Sequence, residues 1–143
     1  MALFDDADSR TEAPEQADPL QRAAAVLLAI AARLDGTIAP VERDRIRILL
    51  RDRLGVSEVE ALLDTAERDA ANSTDFFGVT RVINDRSDAQ GRIDVIEMLW
   101  DVAYADGVVD DYEANLVRRV AGLLHVSDRD AGEARKRVIE RNK

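Results

Sequence analysis

The chain repeats itself, and that constrains its fold more than any other feature. Leu27-Leu28 recurs as Met98-Leu99, Asp35-Gly36 as Asp106-Gly107, Ile38 as Val109 and Glu42 as Glu113, all at an offset of 71. The offset then slips to 70, so that Leu54-Gly55-Val56-Ser57-Glu58 lies over Leu124-His125-Val126-Ser127-Asp128. Turn residues and helix caps stay in step throughout. A repeat of two or three helices can hardly bury its apolar face alone, so the halves are expected to pack together about a pseudo-twofold axis. No segment alternates with period two, and the apolar spacing is helical. The expectation is an all-α domain of about seven helices over residues 19–143, with repeat one at about 20–71 and repeat two at about 88–142.

The first helix opens at Asp18-Pro19, a cap followed by proline at the first helical position, and should stop at Gly36. Its apolar residues almost encircle it, which predicts a central, buried helix. A second helix runs from Pro40 to Gly55 with Glu42, Ile46, Leu49, Leu50 and Leu54 on one face. A third starts at Ser57, where Glu60 completes a capping-box pattern. A short fourth, about Thr74 to Asn84, presents Phe76, Phe77, Val79, Val82 and Ile83. The fifth follows Ser87 and runs to about Ala105, with Ile93, Ile96, Leu99, Trp100 and Ala103 as its core stripe. The sixth begins at Asp110, with Glu113 as its capping-box partner, and the seventh runs from Ser127 to about Arg141.

Composition sets the outer limits. Apolar residues make up 46% of the chain, enough for a core, while aromatics at 4% favour helix over strand. The net charge of -9 argues against nucleic acid as a partner, because phosphate binding needs a basic patch. Over half of that charge sits in residues 1–18, a stretch of few large apolar residues that reads as a disordered acidic tail. The chain has no cysteine, which excludes disulfides and thiolate metal sites. The longest apolar run, Ala23 to Ala32, is too short to span a bilayer. With an acidic N-terminus unlike a signal peptide, the chain reads as a soluble cytoplasmic protein.

The Asp-Gly turns, with a branched apolar residue two positions on and a glutamate seven after the aspartate, invite comparison with a calcium loop. If Asp106 were the fifth loop position, the first and third would be Val102 and Tyr104, and in the first half Ala31 and Arg33. Two essential oxygen ligands are absent from both copies, so these are not EF-hands. What remains is a turn in which glycine allows a left-handed backbone and the glutamate accepts from free N–H groups of the next helix. Asp35 and Asp106, read at helix C-termini, put negative charge against the negative dipole end. Either backbone N–H groups compensate them, which is the favoured reading, or a divalent cation held with a neighbouring carboxylate does.

The run Glu97-x-Leu99-Trp100-x-x-Ala103-Tyr104-Ala105-Asp106-Gly107, then Tyr112-Glu113, then Leu123-Leu124-His125, resembles the tellurite-resistance TerB family, in particular its TerB-like bacterial branch. The DjlA co-chaperone's N-terminal domain belongs to the same superfamily and has similar Asp-Gly turns. The first half matches less fully, with Ala39 in place of the usual capping residue. The resemblance covers roughly residues 20 to 140. It implies an all-helical fold of pseudo-repeated halves and a link, in some relatives, to resistance against tellurite and other stresses. It also implies suspected metal binding by family acidic residues, which fall here on Asp35, Glu42, Asp106 and Glu113.

Asp94, Glu97 and Asp101 share one face of the fifth helix, where like charges repel. They are expected to meet arginines, with Arg45, Arg47, Arg51, Arg118 and Arg119 as candidates; Glu97, as part of the motif above, is a further metal-ligand candidate. His125 sits where Gly55 ends the second helix, so a capping role is expected rather than catalysis. No Ser-His-Asp order, Gly-rich phosphate loop or histidine cluster points to an enzyme. The leading expectation is a non-enzymatic module of a stress response that binds a protein partner. The alternative is divalent-cation binding through the carboxylates of the two turns, and a hydrolase with a carboxylate metal site is a remote third. An exposed apolar groove would favour the first, and converging uncompensated carboxylates the second.

Overall fold

A computed structural model describes residues 18–33, 36–72 and 76–143. Its helices are α1 (Pro19–Ala32), α2 (Pro40–Asp52), α3 (Val59–Asn72), α4 (Phe76–Arg86), α5 (Ala89–Ala103), α6 (Asp111–Leu123) and α7 (Asp128–Arg141). There is no strand among the described residues. The all-α class and the count of seven helices among the described residues agree with the sequence reading. The tail expected at residues 1–18 lies, but for Asp18, outside the described residues, as do Asp35 and the expected fourth-helix start at Thr74.

Two helices form the centre. α1 packs on α2, α3, α4 and α5, and α5 packs on α1, α2, α6 and α7. The alanines of α1 explain its position: Ala24, Ala25 and Ala29 are fully buried, and their small side chains let neighbours approach closely. Leu27 and Leu28 of α1, Leu50 of α2, Leu63 of α3, Ile83 of α4 and Ile96 of α5 fill the space between. Each such side chain is worth about 1.5–3 kcal/mol of burial.

The helix ends follow local chemistry. Asp18 accepts from the Leu20 N–H at 2.7 Å and Pro19 opens α1. α1 ends at Ala32, earlier than Gly36 suggested, because the Arg33 N–H closes the last turn on Ala29 and Ile30. α5 ends in the same way at Ala103, with Tyr104 as its cap. Gly36 and Gly107 follow with φ of +105° and +88°, values that side chains rarely adopt. His125 at φ 58° does after α6 what Gly55 at φ 67° does after α2, as expected of its place in the sequence.

Three local expectations need correction. α3 opens at Val59, not at Ser57, and Glu60 reaches across to Arg47 instead of back to a cap. The ion pair between α2 and α3 outcompetes the capping box. Phe77, grouped with the apolar residues that this helix presents, is 71% exposed; the inward face of α4 is carried by Val79, Thr80, Val82 and Ile83. α5, expected to follow Ser87 directly, starts one residue later, with Asp88 as its cap accepting from the Gly91 N–H at 2.8 Å.

Candidate functional site

Three places carry chemistry or shape beyond the core. The first is the acidic face of α5. Glu97 is 5% and Asp101 7% exposed, so each needs partners. Arg137 Nε donates to Glu97 Oε1 at 2.7 Å, Arg141 Nη1 donates to Oε2 at 2.7 Å, and Arg53 lies 3.6 Å from Oε2. Asp101 accepts from Arg141 at 3.1 Å and from Arg45. Asp94 lies 3.8 Å from Arg53. Burial pushes the Glu97 carboxyl up, but the hydrogen bonds and charges of Arg137 and Arg141 outweigh it and hold the group below the ordinary carboxylate range.

The expectation that arginines meet this face holds, though most of the partners differ. Arg45 is found there, while Arg47 turns to Asp44 and Glu60, Arg51 to Asp52 and Arg118 to Asn115. Arg53, Arg137 and Arg141 were missed. Their signal was available, since Arg137 and Arg141 are four apart, like Glu97 and Asp101 on the helix they meet. This places the metal-ligand candidate Glu97 in a site already filled by guanidinium groups.

The second place is formed by the two turns. The Ala39 N–H donates to Glu42 Oε1 at 3.4 Å, half of a capping box, since alanine has no side-chain acceptor to return. In α6 the box is complete. The Glu113 N–H donates to Asp110 Oδ1 at 2.8 Å, and the Asp110 N–H donates to Glu113 Oε1 at 3.2 Å. Asp106 Oδ1 accepts from the Val108 N–H at 3.1 Å, the backbone compensation favoured from sequence.

Glu113 lies against Ala31, Leu99, Val102, Ala103, Leu116 and Val117, an apolar lining that strips water from its carboxyl. Burial, joined by the negative charges of Asp110, Glu42 and Asp106, pushes that carboxyl up to about 7, against the opposing pull of the Asp110 N–H. No arginine or lysine among the described residues forms an ion pair with Glu113 or Asp106. The folded chain brings Glu42 and Asp106 near enough for their charges to act on Glu113. Among the described residues, no group of three carboxylate or imidazole side chains is already close enough to hold a metal ion. Asp35, the fourth candidate, lies outside the described residues.

The third place is a groove of about 460 Å³ between α1, α3 and α4. Val26 and Ile30 of α1 form its floor, and Val79 and Val82 of α4 form one wall. The ion pair of Arg22 with Asp69, at 3.5 Å, stands at its edge. The exposed Phe77 belongs to the same short helix as that wall. Sequence reading expected α1 to be buried, as Val26 and Ile30 are, and named an apolar groove as the mark of a partner site without placing it. Gly78 of α4, which carries no side chain, is among the residues that line the groove.

No helix among the described residues is long and apolar enough to cross a membrane. An all-helical domain in which α2 and α6 each carry glutamate as their third residue fits what the motif residues implied. The family model for tellurite resistance protein TerB matches residues 21–136, which is most of the chain, and the chain belongs to that family. No curated protein and no solved structure matches it.

Proposed function

We propose that this chain is a non-catalytic TerB-family module of a tellurite-resistance-type stress response, and that it works by holding a protein partner. The observation that carries this reading is the apolar groove between α1, α3 and α4, of about 460 Å³. Its size falls in the range of ligand and peptide sites, and its floor and wall are aliphatic. Among the described residues that line it there is no nucleophile paired with a base, so the reading is one of recognition, not turnover. The test places a photo-crosslinking side chain at Val79 and, as a control, at Arg118 on α6. Capture of a defined protein from Val79 alone, abolished by Val82→Asp in a folded protein, is the expected result. Equal capture from both positions would refute the groove.

A second reading is favoured by Glu113. A carboxyl pushed up to about 7 by burial and by neighbouring negative charge gains when a cation replaces its proton. Glu42, Asp106 and Glu113, with Asp35, would be the ligands of a divalent ion, and the half-repeats would each supply one turn. Oxygen ligands alone suit calcium or magnesium better than zinc. The test follows backbone amide shifts during titration with each ion. Saturable changes at Gly36 and Gly107, abolished by Asp106→Ala or Glu113→Ala without unfolding, support it. Absence of shifts up to millimolar ion would leave these carboxylates as helix-cap architecture.

A further inference from the structure

The C-terminal helix is attached in an unusual way. α7 buries only Ala131, Ala134 and Val138, two alanines and a valine, whereas α6 buries Leu116, Val117 and Val120 with two alanines. Much of the remaining attachment of α7 to α5 is polar. Arg137 and Arg141 hold Glu97, and Arg141 also holds Asp101. Arg135 donates to the Tyr104 hydroxyl at 2.8 Å and lies 4.6 Å from the centre of the Trp100 ring. The Trp100 indole N–H donates to the Ala131 carbonyl at 3.2 Å. The Arg137 and Arg141 side chains are 46% and 45% exposed, so dissolved ions reach them.

The carboxylates under α7 have a second set of partners on another helix. Glu97 is also approached by Arg53, and Asp101 by Arg45, the latter on α2 and the former at its C-terminal cap. If α7 lifts, neither carboxylate is stranded: each keeps one guanidinium and regains water. The large penalty for leaving a buried charge without a partner is thereby avoided. We infer that α7 is a releasable strap, latched by Arg137 and Arg141 onto Glu97 and Asp101, and that its release uncovers the Trp100 face of α5. Salt weakens the latch without touching the α1-centred core, so the strap opens as a separate unit.

The test is amide hydrogen exchange of the full chain at low salt and at about 1 M sodium chloride, with Trp100 fluorescence recorded alongside. The α7 amides are expected to exchange on the order of tenfold faster in high salt, while those of α1 and α3 keep their protection. The Trp100 emission, the only indole signal in the chain, should shift to the red over the same change. Arg141→Gln, in the exposed last turn, should reproduce the effect at low salt with the other helices unchanged. Exchange of α7 in step with α1 at both salt levels would overturn the strap. Faster exchange of α7 that ignores both salt and Arg141→Gln would overturn the latch.

Discussion

Glu97 and Glu113 each hold a carboxylate partly withdrawn from water, and everything else about them differs. Glu97 is met by three guanidinium groups and is held below the ordinary carboxylate range. Glu113 is met by its own capping partner and by the charges of Asp110, Glu42 and Asp106, and is pushed up to about 7. Burial opposes ionisation in both, so burial alone does not tell them apart. The sign of the neighbouring charge does. A compensated carboxylate pins helices together; one surrounded by its own kind is left with a demand that a proton or a cation can satisfy.

The largest expected effect breaks the compensated side. Glu97→Ala leaves Arg53, Arg137 and Arg141 facing one another; these guanidinium groups are a third to nearly half exposed and regain water, so the loss is that of the charge-assisted hydrogen bonds, about 1.5–3 kcal/mol. Urea unfolding should show a clearly lowered midpoint. Glu113→Ala removes only a reciprocal cap and a strained charge, so its cost should stay below about 1 kcal/mol. Equal losses for the two alanine variants would erase the contrast.

The pH dependence sharpens it, because the two groups act in opposite directions. An unfolded glutamate titrates near about 4.3. The folded value of Glu97 lies lower, so its stabilisation is present above about 4.3 and is lost as pH falls through the folded value. The folded value of Glu113 is about 7, so folded chains hold a proton that unfolded chains have released. Stability from this group therefore falls as pH rises from about 4 to about 7, and is flat above. Glu113→Gln keeps the cap acceptor and cannot ionise. Thermal melts of this variant should match wild type at low pH and exceed it modestly at pH above about 7. The reverse ordering would contradict the assignment of the raised value to Glu113.

A smaller effect isolates one neighbour. Asp106→Asn retains an acceptor for the Val108 N–H but removes one of the charges acting on Glu113. The Glu113 titration should move downward, with stability almost unchanged, as read by side-chain carbon shifts. No movement would assign the raised value to burial and the remaining carboxylates.

The sequence made the helices legible because period, caps and glycines agree along most of the chain. Asp18-Pro19, Asp110 with Glu113, and Ser127 each act as the local pattern said. It failed where a distant partner won. Ser57 and Glu60 form a correct capping pattern, yet Arg47 on α2 claims the glutamate. The acidic stripe of α5 was legible as needing arginines, and the spacing of Arg137 and Arg141 matches that of Glu97 and Asp101, but choosing that pair over the other arginines depends on how α7 lies across α5. The Glu113 environment needed both halves, since Glu42 lies 71 positions away. The groove is an absence of side chains between α1 and α4, and a pattern of apolar positions registers only what is present.

The most direct test of the contrast is a carbon-detected titration of the glutamate side chains in the folded chain. Glu113 should titrate at about 7 and Glu97 below the ordinary carboxylate range, each assigned through its Gln variant. If both groups titrate together near about 4.3, neighbouring charge does not distinguish the two places, and the account fails.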